Sequence, residues 1–211
     1  MKKYMTAIAI AGAMAIAAPV AVQAQTIGFK LGSTWSKVDI DQPDGDDGID
    51  YMSAFGGGGF IRFGVGGLGL QVDVLALTKG AEVIDAADGD VNFKLDYIDV
   101  PVQLAFNLGS SRFAPYVLLG PSFGLEIGCK LDDDTTANDT EVDCDDGDFF
   151  DRKSVDIGAT GALGLQIPAG PGNILVEGRY THGLANIADE GSTEIKNRSF
   201  GVFAGYSIGL R

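Results

Sequence analysis

Ile98-Asp99-Val100-Pro101-Val102-Gln103-Leu104-Ala105-Phe106 alternates large apolar side chains with polar or small ones from end to end. A period of two puts Ile98, Val100, Val102, Leu104 and Phe106 on one side of an extended chain and Asp99, Pro101, Gln103 and Ala105 on the other. A helix would scatter the same apolar residues around its circumference. The segment therefore reads as a strand with two chemically different faces.

The pattern recurs in both directions along the chain. Toward the amino terminus, Leu68, Leu70, Val72 and Val74 oppose Gly69, Gln71 and Asp73. The glycine-heavy stretch 51–65 keeps Phe55, Ile61, Phe63 and Val65 on one face and Arg62 on the other. Ile27, Phe29, Leu31 and Trp35 oppose Gly28, Lys30, Gly32, Thr34 and Ser36. Toward the carboxyl terminus come Val117, Leu119, Phe123, Leu125 and Ile127, and then Ile157, Leu163, Leu165 and Ile167 against Asp156, Thr160 and Gln166. Ile174 and Val176 oppose Glu177 and Arg179, and Val202, Ala204, Tyr206, Ile208 and Leu210 oppose small residues. Eight strands result, an even number as in small bacterial barrels.

The connections alternate in length. Long ones are predicted over 39–50, 80–92, 128–154 and 185–197, and short ones at Gly66-Gly67, 107–112 and 168–173. Short turns at one end and long loops at the other are the asymmetry of an outer-membrane barrel. A two-residue turn at Gly66-Gly67 also predicts that Val65 faces Leu68. Residues 1–24, with Lys2 and Lys3 ahead of an alanine-rich run closing on Val22-Gln23-Ala24, read as a signal peptide, which leaves 25–211 as one barrel domain. No later segment reaches the roughly 18 apolar residues of a spanning helix. In lipid, only helices and closed barrels satisfy every backbone amide.

Alternation alone does not orient the faces, because a soluble lipocalin-like barrel puts its apolar side inward. The polar face carries Lys30, Arg62, Asp73, Glu126, Asp156, Glu177 and Arg179, a set suited to a hydrated or ion-paired lumen. Aromatic residues gather near strand ends, Phe29, Phe63, Phe106, Phe113 and Tyr206 on the turn side and Trp35 and Tyr51 on the loop side, as interfacial girdles do. The expected fold is thus all-β, an eight-stranded antiparallel up-and-down transmembrane β-barrel.

The formal net charge is −14, and 23 of the 29 acidic residues fall in the four long connections. Acidic loops of this kind keep an exposed end solvated. They also offer weak metal candidates in Asp132, Asp133, Asp134, Asp143, Asp145, Asp146 and Asp148, for divalent cations or for bridging to lipopolysaccharide at the outer rim. The spacing around Gly147 is not that of an EF-hand, since Val142 and Cys144 stand where ligands belong. So acidic a surface excludes nucleic-acid binding. Cys129 and Cys144, the only cysteines, are expected to pair as a disulfide in an exported chain.

No catalytic residue and no cofactor site emerges. His182 is the one histidine, and by parity it shares the face of Val176 and Tyr180, away from the polar residues a base would need. The glycine run 56–59 lies within a strand, with no helix following to make a phosphate cradle.

Tyr97-Ile98-Asp99-Val100-Pro101, Pro115-Tyr116-Val117-Leu118-Leu119-Gly120-Pro121, Asp156-Ile157-Gly158 and Arg179-Tyr180 followed by Gly183-Leu184-Ala185-Asn186-Ile187 together resemble the PorT-like outer-membrane β-barrel domain family. The resemblance spans 25–211 and implies an eight-stranded barrel; most members of the family have no assigned activity, and no catalytic residues carry over from it. One departure is the ending Gly209-Leu210-Arg211, where many outer-membrane barrels place a terminal aromatic residue. The sequence thus predicts a monomeric, non-enzymatic barrel with outer-membrane lipid around it and acidic extracellular loops, acting in envelope structure, adhesion or binding of a protein partner. A narrow pore for ions or small solutes is the alternative.

Overall fold

The computed structural model describes residues 25–40, 49–65, 67–85, 89–109, 113–133, 140–143, 155–184 and 195–210. They form eight long strands: β1 (Gln25–Ile40), β2 (Met52–Val65), β3 (Leu68–Asp85), β4 (Gly89–Asn107), β5 (Ala114–Asp133), β6 (Val155–Ala169), β7 (Gly172–Gly183) and β8 (Ile195–Leu210). Each pairs antiparallel with its sequence neighbours. β1 also pairs with β8 from Gln25↔Leu210 to Ile40↔Ile195, so the ring of eight long strands closes on itself. Among the described residues there is no helix.

Turn chemistry fixes the register. Val65 pairs with Leu68, as a two-residue Gly66-Gly67 loop requires. Ala169 pairs with Gly172 across Gly170-Pro171. Gly170 has φ +62°, and proline cannot take positive φ, so the turn is of the II′ kind that only glycine enters freely.

The long connections differ from the expectation in one respect. β3 and β4 run on as a paired hairpin to Asp85↔Gly89, so 80–92 is mostly strand rather than loop. Ala81, Val83, Val91 and Phe93 continue the period of two there, and Asp88-Gly89 is a hairpin turn signal. β5 likewise continues to Asp133 and pairs with the short strand Thr140–Asp143, past a bulge where Asp96↔Gly128 gives way to Tyr97↔Glu126. Acidic residues in these ladders disguised them as loops.

The two faces separate cleanly. Ile27, Phe29, Leu31, Val74, Leu104, Leu119, Ile157, Leu163, Val176 and Val202 are exposed on the outer wall, while Lys30, Arg62, Asp73, Glu177 and Arg179 are buried in the lumen. That arrangement excludes the lipocalin-like alternative, which needs the opposite orientation.

Candidate functional site

Among the described residues, the lumen is where charged side chains from distant parts of the sequence meet in a network. Lys30 stands on β1, Asp73 on β3, and Glu177 and Arg179 two apart on β7, all within a few residues of the turn-side strand ends. Lys30 Nζ lies 2.9 Å from Asp73 Oδ2 and 2.9 Å from Glu177 Oε1. Arg179 donates from Nη2 to Glu177 Oε1 at 2.9 Å and to Gln103 Oε1 at 3.2 Å, and it also pairs with Asp73. Each carboxylate thus meets both cations, and the four charges compensate one another.

Arg62 joins through an amide. Its Nε donates to Gln71 Oε1 at 2.7 Å, and Gln71 Nε2 donates to Asp73 Oδ1 at 2.6 Å. Its guanidinium lies 4.7 Å from the ring centroid of Tyr116 and 5.9 Å from that of Phe60. Tyr116 closes the circuit by donating its hydroxyl to Glu177 Oε2 at 3.0 Å. Cations this deep are stable because both opposite charge and aromatic faces surround them.

The other two expected lumen residues lie nearer the loops. A Cβ on Gly124 would fall 3.3 Å from Asp156 Cβ and 3.4 Å from Asp99 Oδ1, so these two flank one glycine. Glu126 follows two residues along β5, opposite Tyr97. Asp99, which the sequence reading did not single out, accepts a 2.8 Å hydrogen bond from Ser122.

The sequence also left the lumen's apolar filling unseen. The inward face of β8 is not composed of small residues alone, because Phe203 is buried there with 1% exposure. Phe60, Leu75, Leu77, Tyr97, Tyr116, Leu118 and Leu175 are buried as well. Three of the rings sit opposite glycines in register: Phe60 opposite Gly28, Tyr116 opposite Gly164 and Phe203 opposite Gly32. Each ring occupies the space a Cβ on its glycine would need. The pairing of large with absent side chains was the available signal, but it becomes legible only once strand register is known.

On the outer wall, Trp35 stacks on Phe200 with ring centroids 5.9 Å apart, and Tyr180 stacks on His182 at 6.5 Å. His182 therefore points away from every lumen carboxylate. Among the described residues no group of histidine, cysteine and carboxylates could hold a metal. The side chains of Asp132, Asp133, Asp143 and Cys129 lie outside the described residues, as do Asp134, Cys144, Asp145, Asp146, Asp148 and residues 1–24 altogether.

A closed ring of eight strands, greasy outside and ionic within, now meets a family pattern. Residues 8–207 match the model of the outer membrane protein beta-barrel domain. The chain belongs to that family. Membership places this barrel in the outer membrane of a Gram-negative cell, with its apolar wall against hydrocarbon.

Several solved outer-membrane structures align with this chain. The outer membrane protein OprG from Pseudomonas aeruginosa is 15% identical, with 89% of this chain and 97% of that one covered and a TM-score of 0.51. Outer membrane protease OmpT from Escherichia coli is 10% identical, covering 92% and 99%, with a TM-score of 0.49. Ail, the attachment invasion locus protein of Yersinia pestis, is 15% identical, covering 87% and 99%, with a TM-score of 0.45. At these identities the likeness is one of fold alone. No curated protein matches the chain.

Proposed function

We propose that this outer-membrane barrel is a non-conducting, non-enzymatic scaffold whose acidic external end is its working face, presenting loops to a protein partner in adhesion or envelope organisation. The observation that carries the reading is the filled lumen. Lys30, Asp73, Glu177 and Arg179 are linked across it, and the rings of Phe60, Tyr116 and Phe203 occupy the room their facing glycines leave. An eight-stranded barrel is just wide enough to be filled in this way. With the interior occupied, the 23 acidic residues of the four long connections are what remains to act.

Planar-bilayer recording tests the first half: the reconstituted barrel is expected to hold a flat baseline, and a steady unitary conductance would favour the narrow pore. Capture of proteins from intact envelopes on the folded barrel, compared with a form whose loop aspartates are changed to asparagine, tests the second. Partner retention that survives the change would move the working face elsewhere. Substituting His182→Ala is expected to leave retention unchanged.

Within this reading the chain is a monomer of the PorT-like branch, supported by the ordered motifs from Tyr97 to Ile187. Residues 1–24 are its signal peptide, and a Cys129–Cys144 bridge pins the third external loop. Two reactive thiols on the unreduced protein would remove the bridge. Calcium or lipopolysaccharide at the aspartates 132–134 and 143–148 is the corresponding rim proposal, which a calorimetric titration without saturable heat would end.

A further inference from the structure

Lys37, Arg198 and His182 occupy facing register positions on three adjacent strands, Lys37↔Arg198 between β1 and β8 and Arg198↔His182 between β8 and β7. Directly opposed residues in an antiparallel pair have Cβ atoms about 5 Å apart, so the three side chains form one row. Two residues nearer the turns is a second row, Trp35, Phe200 and Tyr180, again in register and exposed by 37%, 46% and 47% on the outer wall. Alternation places the first row on the same outer face. Lys37 extends it toward the residue just before β2, its Nζ 5.6 Å from the ring centroid of Tyr51.

This order, aromatic rings and then cations toward the loops, is that of a boundary between hydrocarbon and phosphate. It is also unusual for this chain. Along the paired segments 37–39 and 196–198 the sequence carries three cations, Lys37, Lys196 and Arg198, against one carboxylate, Asp39. The neighbouring connections are dominated by acid. Beneath the aromatic row the wall is shallow: Ser33, Val202 and Gly178 face one another, and a Cβ on Gly178 would meet nothing within 4 Å.

We propose that this row is a docking site for one phosphorylated glycolipid of the outer leaflet. Its phosphate sits between Lys37 and Arg198 with His182 as a further polar contact, and an acyl chain passes over Phe200 into the depression at Gly178. The outer leaflet is the source because the row lies at the loop end of the barrel, where the phosphate-bearing lipid of a Gram-negative surface is a glycolipid.

Trp35, the one tryptophan of the chain, stands in the second row and reports on the site directly. The folded full-length barrel in neutral detergent is titrated with lipopolysaccharide, with the same lipid after removal of its phosphates, and with phosphatidylglycerol. Lipopolysaccharide is expected to shift Trp35 emission saturably. The dephosphorylated lipid, and the K37Q/R198Q variant with the intact lipid, are expected to need roughly 30-fold more, about fivefold for each cation at an anionic surface. Equal midpoints for intact and dephosphorylated lipid overturn the proposal, as does an unchanged midpoint in K37Q/R198Q. Phosphatidylglycerol that binds as tightly as lipopolysaccharide overturns the assignment to a glycolipid. Should the double variant fail to fold, the comparison of lipids on the unaltered protein decides the matter alone.

Discussion

Lys30 and Lys37 stand on one strand and meet opposite surroundings. Lys30 is 2% exposed and held by two carboxylates from β3 and β7, whereas Lys37 is on the outer wall beside the ring of Tyr51. The first is tolerated because closure of the ring brings partners to it. The second is tolerated because it lies where lipid gives way to water. A one-residue slip in the β1–β8 register would exchange the two faces, stranding Lys30 in hydrocarbon, so the ion network and the barrel's closure specify each other.

The largest effect is expected from breaking the inner half of that contrast. Asp73→Ala leaves Lys30 and Arg179 sharing one carboxylate, Glu177, and removing a partner from a buried pair costs about 3–5 kcal/mol. Urea unfolding of the barrel in lipid vesicles measures it. Changing both sides at once sharpens the point. Lys30→Met with Asp73→Leu leaves the Arg179–Glu177 pair in place, and the double variant is expected to be more stable than Asp73→Ala alone. A double variant no better than the single one would mean that the network contributes more than mutual neutralisation.

The outer half is broken by moving a guanidinium across the wall. Ala162 pairs with Arg179, and the next residue, Leu163, is 68% exposed on the lipid side. Leu163→Arg therefore puts on the outside, one position along, the group that its neighbour holds inside. The expected cost is about 2–4 kcal/mol near the bilayer midplane. An unfolding curve matching the unaltered barrel would mean that Leu163 does not face hydrocarbon.

How much of this was legible in the chain follows the same division. The outer wall could be read, because hydrocarbon imposes one requirement on every strand, and the alternation from Ile27 to Leu210 records it. The five network charges could be listed as inward by parity, but not which met which, since Lys30 and Glu177 are 147 residues apart. Phe203 and Tyr116 went unseen for a related reason. An apolar residue on the inner face looks like a lapse in the pattern until the glycine opposite it is known. The ladders beyond Lys79 and Gly128 were hidden by their acidic residues, because a strand rising into water no longer needs an apolar face.

A smaller effect isolates one bond of the network. Tyr116→Phe keeps the ring over Gly164 and beside Arg62 but removes the hydroxyl donated to Glu177. A hydrogen bond to a charged group contributes about 1.5–3 kcal/mol, and the same unfolding assay is expected to show a loss in that range. Because the ring stays, the bilayer baseline is expected to stay flat. A leak in this variant would mean that the hydroxyl, and not the ring, closes the lumen.

The smallest effect belongs to the outer wall's loop-side row. Trp35 and Phe200 stack at 5.9 Å with 28° between their planes, and aromatic pairs contribute about 0.5–1.5 kcal/mol beyond the area they cover. A double-mutant cycle with Trp35→Leu and Phe200→Leu separates that coupling from the loss of apolar surface. Lipid can solvate either ring nearly as well as the other ring does, so the coupling is expected at the lower end of the range. A value above it would make the pair a fastening of the β1–β8 seam in its own right, as strong as a bond inside the lumen, and the contrast between a specified interior and a merely solvated wall would narrow at the strand pair on which closure depends.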